Sequence, residues 1–514
     1  MRRFVSVADL WVTALERHGD RPAVAAAGTA LGRRAVAAEV SRYARALASF
    51  GLGQGSPVGT LSLNRPEAVF AWGANLITGA RITPLTATAS VDDLAYILED
   101  AGIDTLIFEP TDDERAAEVE ARAPGVRRLL ALGPSEVGVD LTAAAAAQPA
   151  TRLWAPEVAP DGVDRIMYTG GTTGRPKGIV GTFGSSAAVA SIQSASWQWP
   201  DDTRFLICSP MSHAGGAFVL PTLLRGGQVV TLPRFDPDQV LDTIERYRIT
   251  ATMLVPTMLY ALLDHPRLEE ADLSSLETVF YGAAAMSPAR LQEAVERLGP
   301  IFFQFYGQSE APMTITALRK EDHTPDRLAS CGRAVPWMHV ALLDDDCQPV
   351  AAGEPGEICV MGPTVMREYW RKPELTAEVF AGGWLHTGDV ARMTDDGFLT
   401  IIDRKKDVII SGGFNVYARE VESAIAEHPA VATAAVFGVP DEKWGEAVRA
   451  VVVVRDGAEV TDQELKDLVR ARKGPIVSPK AIEFRSQVPL TPLGKPDKAA
   501  LRREYWQEHE RNVH

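Results

Sequence analysis

The stretch YTGGTTGRPKG, Tyr168 to Gly178, closes the strand-like run VDRIMY and concentrates glycine, threonine and a single lysine in a short span. Glycine lets the backbone approach an anion closely, threonine hydroxyls and backbone N–H groups can donate to it, and Lys177 adds a point charge. The expectation is a phosphate cradle at the end of a strand; a flexible surface turn is the competing reading. The spacing G-x-x-x-x-G-K-[ST] is not met, because Pro176 precedes Lys177 and Gly178 follows it. The hydroxyl that holds magnesium in such a loop is therefore missing, which argues against a kinase or GTPase of that type.

Working outward, the length of 514 residues exceeds what one hydrophobic core usually serves, so two or more domains are expected. Hydrophobic content of 46% and charged content of 23% are those of a soluble globular chain. A net charge of -15 argues against a sequence-independent grip on nucleic acid, which needs a basic face. Cys208, Cys331, Cys347 and Cys359 show no C-x-x-C spacing, so neither a zinc knuckle nor a disulfide frame is expected. The start MRRFVSVADL lacks the apolar core of a signal peptide, and no run is long enough for a membrane span. A cytoplasmic location is the expectation.

Val7, Leu10, Trp11, Ala14 and Leu15 recur at helical spacing, and a second helix over AEVSRYARALASF is stopped by Gly51 and Gly53. TLIFE, VDRIMY and RFLICS read as strands between helix-like segments, the rhythm of α/β architecture. At Asp403, Arg404, Lys405, Lys406 and Asp407 the texture changes, and an exposed linker is expected there. The residues beyond suffice for a small α+β domain: Val421, Ala424 and Ile425 share a helix face, and Thr461 with Glu464 forms a capping box. The predicted organisation is a large multi-subdomain α/β body (1–402), a hinge (403–406) and a small mobile domain (407–514).

Further motifs follow: PMSHAGG from Pro210, YGQSE from Tyr306, GWLHTGDVA from Gly383, DRKKDVIISGGFNVYAREVE from Asp403 and PLTPLGKPDK from Pro489. With the opening loop, and in this order, they resemble the adenylate-forming superfamily of acyl- and aryl-CoA synthetases, peptide-synthetase adenylation domains and luciferases. The resemblance spans most of the chain. It implies activation of a carboxylic acid by ATP as an acyl-adenylate, with Mg²⁺, and transfer of the acyl group to coenzyme A. Such chemistry demands cations at both ends of the triphosphate, because negative charge accumulates on the α-phosphate and the departing pyrophosphate.

The resemblance implies that Thr169, Gly170, Gly171, Thr172, Thr173, Gly174 and Lys177 hold the outer phosphates, and that Glu310 binds Mg²⁺. Ser309 stands where threonine is more common. Gly282, Ala283 and Ala284 would present backbone along the adenine, Tyr306 would stack on it, and Gly307 and Gln308 continue that wall. Asp389 would accept from both ribose hydroxyls and Arg404 would donate to the sugar. Tyr306 and Tyr281 could equally be core aromatics, and a lone histidine such as His213 is more often structural. His213, Gly215, Gly216, Phe218, Tyr281 and Gly282 would line the acid pocket, while His386 reads as structural. Lys495 would be the catalytic lysine, followed by Pro496 where relatives carry an aliphatic residue. Lys406 would be the hinge, Gly412 and Gly413 would line the pantetheine tunnel, and Trp444 would pack near the CoA nucleotide.

Small apolar residues around His213 and Gly282 suggest a roomy, weakly charged acid pocket suited to fatty, aromatic or alicyclic acids. AGGAFVLPTLL shows no aspartate to hold a substrate amine, which argues against an amino acid. Alternatives left open are a carrier-protein thiol, an amine or nitrite as acceptor, and a non-catalytic nucleotide-binding relative. A homodimer is suggested by the resemblance alone.

Overall fold

The computed structural model describes residues 4–169, 175–411, 414–441, 444–455, 457–489 and 497–506. Two large sheets with mostly parallel centres organise the body. In the first, the strands Gln228–Thr231, Arg204–Ile207, Ala251–Leu254, Thr278–Gly282 and Phe302–Gln308 run side by side and parallel. Antiparallel Ala311–Leu318 follows at one edge, and Pro22–Ala26 extends the other. In the second, Val163–Thr169, Arg81–Pro84, Pro57–Leu61, Thr105–Phe108 and Arg128–Ala131 are parallel. Lys177–Thr182 turns back antiparallel on Val163–Thr169, so the glycine-threonine stretch joins the two strands of a hairpin.

Parallel strands must be covered on both faces, and the helices do this in layers. Val7–Glu16, Arg33–Ser49, Pro66–Thr78, Phe183–Ser196 and Val219–Leu224 lie between the two sheets. Their Trp11, Val40, Phe70, Ala187 and Leu223 share one core with Phe205 and Phe280 of the first sheet and Val58 and Ile107 of the second. Pro237–Tyr247, Pro256–Leu263 and Pro288–Leu298 cover the outer face of the first sheet; Val91–Ala101 and Asp113–Arg122 cover that of the second.

Within the middle layer the buried Arg33 guanidinium donates to the carbonyls of Ala14, Leu223 and Gly227 at 2.7, 3.0 and 2.8 Å. It satisfies acceptors at two helix ends that packing would otherwise leave unpaired. The first helix begins on a capping box of Ser6 and Asp9, and the second stops at Ser49, just before Gly51.

A third, antiparallel sheet (His339–Leu343, Gly356–Met361, Leu385–Met393, Leu399–Arg404) leads through the turn Lys405–Asp407 into Ile409–Ser411. That strand belongs to the last sheet, with Phe414–Val416, Gly445–Val454, Val431–Asp441 and Ala481–Phe484. Val421, Ala424, Ile425, Leu465 and Val469 pack on this sheet from the helices Ala418–Ala426 and Asp462–Lys473, the second opened by the Thr461–Glu464 capping box. Among the described residues, no helix is long and apolar enough to cross a membrane.

The charged junction differs from the expected exposed linker in two members: Asp407 is half-buried and Asp403 is buried. Arg404, Lys405 and Lys406 are exposed, but Asp403 is only 3% exposed. Its carboxylate accepts from the backbone amides of Arg404 at 2.7 Å and Arg419 at 3.4 Å. Nearby, Lys498 pairs with Glu422 at 2.7 Å. Burial outweighs the attraction of Lys498 and pushes the Asp403 carboxyl up to about 6, against an ordinary aspartate value of about 3.9. Because the folded value is raised, this group favours folding most below about pH 4, and that contribution is lost as pH rises through about 6. Asp403→Asn is therefore expected to gain stability relative to the parent between pH 4 and pH 8, by roughly 1–3 kcal/mol. Urea unfolding at both pH values checks this, and an equal difference at the two would contradict it.

Candidate active site

A cavity of about 2440 Å³ opens where the C-terminal edges of the first two sheets meet the third sheet, and Asp497, Lys498 and Arg502 also line it. At its floor, Glu310 ends the turn between Phe302–Gln308 and Ala311–Leu318, while Lys177 and Tyr369 come from paired strands of the second sheet. The Lys177 ammonium donates to the Tyr369 hydroxyl at 2.7 Å, and that hydroxyl donates to Glu310 Oε1 at 2.8 Å. Lys177 itself lies 3.4 Å from Glu310 Oε1 and 4.0 Å from the centre of the Tyr369 ring. Burial, followed by the Glu310 charge, pushes the Tyr369 phenol far up, so it remains a donor.

Gly178 explains why no hydroxyl residue follows the lysine. A Cβ there would lie 2.9–3.1 Å from Ile166, Trp370 and Tyr168 side-chain atoms. The strand carrying Lys177 can thus lie flat against Trp370, whose amide donates to the Gly178 carbonyl at 2.8 Å.

On the opposite wall, Asp389 is 4% exposed. Its Oδ2 accepts from the Tyr306 hydroxyl at 2.6 Å, and its Oδ1 pairs with Arg404 Nε at 3.0 Å. Burial and then Asp389 hold the Tyr306 phenol well above its ordinary value; Asp389 in turn raises Arg404. Gln308 Nε2 donates to the Thr387 carbonyl at 3.0 Å, and Ser309 and Gly307 line the same wall. A Cβ at Gly307 would come within 2.3 Å of the Met313 amide nitrogen, so glycine is required for that turn. Ala283 adopts φ of +63°, a conformation costing about 1–2 kcal/mol in a non-glycine residue, beside the Ala284 and Ala285 that face the cavity.

His213 stands on the remaining side, Nδ1 2.9 Å from Ser212 Oγ and Nε2 3.4 Å from Thr86 Oγ1. Burial lowers its pKa, which keeps the ring neutral near pH 7. Around it the lining is Trp72, Met211, Ala214, Gly216, Ala217 and Leu220. A Cβ at Gly216 would sit 2.4 Å from the Trp72 ring, so this glycine makes room for the indole.

Several expected residues stand elsewhere. Phe218 is a correction: its ring is fully buried in the aromatic cluster of Trp197, Trp199, Phe205 and Phe280, behind the pocket wall. Gly215 packs against Ser209, and a Cβ at Gly282 would lie 2.3 Å from the Phe305 carbonyl oxygen, so both serve close backbone packing. Tyr281 borders the cavity, yet its side chain is fully buried, with its hydroxyl 2.9 Å from His323 Nε2. Trp444 is 39% exposed, with the Lys480 ammonium 5.4 Å from its ring. Lys406 lines the cavity. Thr169 ends its strand at the cavity; Gly170, Gly171, Thr172, Thr173, Gly174, Gly412, Gly413 and Lys495 lie outside the described residues. Sequence reasoning missed Tyr369, Trp72 and Thr86. No local pattern marks them, because each meets the site only through sheet pairing or helix packing.

The AMP-binding enzyme family profile matches residues 11–370, and that of the AMP-binding enzyme C-terminal domain matches 420–495. The chain is 50% identical over 512 residues to the medium/long-chain-fatty-acid–CoA ligase FadD8 of Mycobacterium tuberculosis, covering 97% of this chain and 90% of that protein. It is 39% identical over 488 residues to a feruloyl-CoA synthase of Amycolatopsis, covering 94% and 96% respectively. Among solved structures, the amide bond synthetase McbA of Marinactinospora thermotolerans superposes with a TM-score of 0.89 at 38% identity, covering 97% of this chain and 99% of that one. The chain belongs to the AMP-binding enzyme family and is an ATP-dependent, AMP-forming acyl-CoA synthetase of the adenylate-forming superfamily.

Proposed function

We propose that this synthetase activates a medium- or long-chain fatty acid, with coenzyme A as the acceptor. The observation that carries the reading is the apolar lining beyond His213. From Trp72, Ala217 and Leu220 it continues through Ala68, Leu76, Ile82 and Ile107 in the layer between the two large sheets. An alkyl chain fits such a lining without leaving a charge unpaired, and the similarity to FadD8 supports it. The similarity to a feruloyl-CoA synthase and the flat Trp72 indole beside Gly216 favour an aryl acid as the second reading.

The geometry supports the following residue roles. A carboxylate oxygen of the acid attacks the α-phosphorus of ATP, and the bond to pyrophosphate breaks. Lys177, carried by Tyr369, faces the outer phosphates together with Thr169. Glu310 suits Mg²⁺, which takes one or two carboxylates and fills its remaining positions with phosphate oxygens and water. When bound, that ion supplies positive charge to the triphosphate. The Asp389 carboxylate has about four lone-pair directions. Tyr306 and Arg404 occupy one on each oxygen, leaving capacity for two ribose hydroxyls.

Lys495 is proposed as the donor to the α-phosphate and the acid. Its neighbours Asp497 and Lys498 line the cavity, which supports that position. For the second half-reaction the thiol sulfur attacks the acyl carbon and AMP leaves. Rotation of residues 407–514 about Lys406 would withdraw Lys495 and bring Gly412 and Gly413 to the thiol path, with Trp444 near the CoA nucleotide. The position of Lys406 in the turn between the third and last sheets supports that hinge. Asp407 and Arg502, 2.9 Å apart, both belong to the rotating unit, so their pair would travel with it.

Pyrophosphate release over a panel of decanoic, palmitic, ferulic and amino acids tests the acid. Fatty acids are expected to dominate, with AMP release dependent on CoA; a preference for ferulate would instead select the aryl reading, and turnover with a carrier protein but not CoA would replace the acceptor. Lys495→Ala should slow adenylate formation by about 10²–10³-fold while sparing thiol attack on a supplied acyl-adenylate. Equal loss in both halves would contradict its role. Tyr369→Phe removes a hydroxyl shared by two charged groups and should lower kcat/KM for ATP about 10- to 100-fold, with a small drop in melting temperature because buried Glu310 loses a donor. Parent-like kinetics would show that the bridge is not needed.

A further inference from the structure

The third sheet gathers three metal-ligating side chains beside the nucleotide wall. Glu357 and Cys359 are two apart on the strand Gly356–Met361, so they project from one face. His386 is paired directly across from Cys359 on the strand Leu385–Met393. One ligand atom from each lies within 4.8 Å of the other two.

The contacts converge on a single ring nitrogen. Nδ1 of His386 is 3.3 Å from Cys359 Sγ and 3.0 Å from Glu357 Oε2. Its Nε2 is 3.2 Å from the Ala381 carbonyl, which can only accept. Both ring nitrogens therefore face an acceptor: without an ion Nδ1–H donates to Glu357, and when Nδ1 ligates an ion the Ala381 carbonyl can take the ring proton on Nε2. This is the outer-shell arrangement by which proteins orient a ligating histidine. With metal–sulfur and metal–nitrogen bonds of about 2.3 and 2.0 Å, the sulfur–nitrogen edge of a tetrahedral zinc site is about 3.5 Å. The observed spacings are already close to it.

A cation is present at this spot. Lys405 Nζ lies 3.2 Å from Glu357 Oε2, and it also holds the exposed Asp345 at 2.6 Å. Glu357 Oε1 accepts from the Gly388 amide at 2.8 Å, which keeps the carboxylate oriented whatever happens at Oε2. Glu357, His386, Lys405 and Asp345 all line the cavity, giving a route in from solvent.

We propose that Cys359, His386 and Glu357 form a site for a soft divalent cation of the zinc type, separate from the Mg²⁺ position at Glu310. The ligands are Cys359 Sγ, His386 Nδ1 and Glu357 Oε2, with water in the fourth position. Cys359 gives its proton to solvent on binding, and no oxidation change is involved. The thiolate and imidazole select a zinc-like ion over Mg²⁺, which prefers oxygen ligands. The incoming ion displaces Lys405 from Glu357 onto Asp345. Cys347, with Sγ 3.7 Å from His386 Nε2, lies on the other nitrogen and is not a ligand.

Titration of the purified full-length protein with Co²⁺ in the absence of nucleotide tests the site. A thiolate-to-cobalt charge-transfer absorption is expected, saturating at a single equivalent and abolished by Zn²⁺ but not by Mg²⁺. Cys359→Ser and His386→Gln should lose the band, and Cys347→Ser should keep it. Lys405→Ala removes the competing ammonium and should bind about two- to fivefold tighter. Circular dichroism on each variant confirms folding, and Glu357→Gln, expected to weaken binding, replaces any variant that does not fold. No band in the folded parent, a band that survives Cys359→Ser, or one that Cys347→Ser removes would overturn the proposal. Unchanged or weaker binding by Lys405→Ala would overturn the displacement of the lysine.

Discussion

The bridge from Lys177 through the Tyr369 hydroxyl to Glu310 is the contact on which the site depends. It joins the antiparallel turn of the first large sheet to the hairpin of the second, so the cavity floor spans two separately paired sheets. Electrostatics alone would not hold this geometry. A lysine and a glutamate side by side are each better solvated in water than in protein. The buried phenol supplies the intervening donor and acceptor, and the backbone amide of Met366 reinforces the turn by donating to the Glu310 carbonyl at 2.7 Å. The charges are thereby held in place before a triphosphate arrives, which is the condition for effective charge stabilisation in a transition state.

A second chain of contacts performs the same task on the opposite wall. Tyr306 comes from the first sheet, Asp389 from the third, and Arg404 from the last residue before the turn into the final sheet. The Asp389 carboxylate is thus wired to the junction itself. Asp403, one residue earlier, faces the other way and is buried against the helix Ala418–Ala426. Adjacent residues on one strand therefore serve the two sides of the joint, as the alternation of a strand requires. The third sheet also carries Glu357, Cys359 and His386, so the cavity wall combines a hard oxygen-rich side with a soft sulfur and nitrogen side.

Much of this is legible before folding. Apolar spacing locates the first two helices and the strands flanking the glycine-threonine stretch, and the Thr461–Glu464 pattern locates a helix start, because these signals are local and backbone-driven. The charged side chains of the motifs, Lys177, Glu310, Asp389 and Arg404, are also identifiable through the resemblance, and the structure brings all four to one cavity. Phe218 is misplaced by sequence because aromatic character says nothing about which face of a wall a ring occupies. Asp403 is misplaced because a run of charges reads as solvated until a partner helix is seen to cover one of them.

The amino-acid sequence by itself determined the α/β class and the order of the motifs, and through their resemblance to the adenylate-forming superfamily the acid-activating chemistry, because such motifs are written in short stretches. Only the tertiary structure decided that Tyr369 carries the floor, that His386 turns one nitrogen to a thiol and a carboxylate, and that the apolar lining continues between the sheets. Those contacts join residues far apart in the chain, for example Lys177 with Tyr369 and Cys359 with His386. Their partners are chosen by strand register and layer packing, which no single segment encodes.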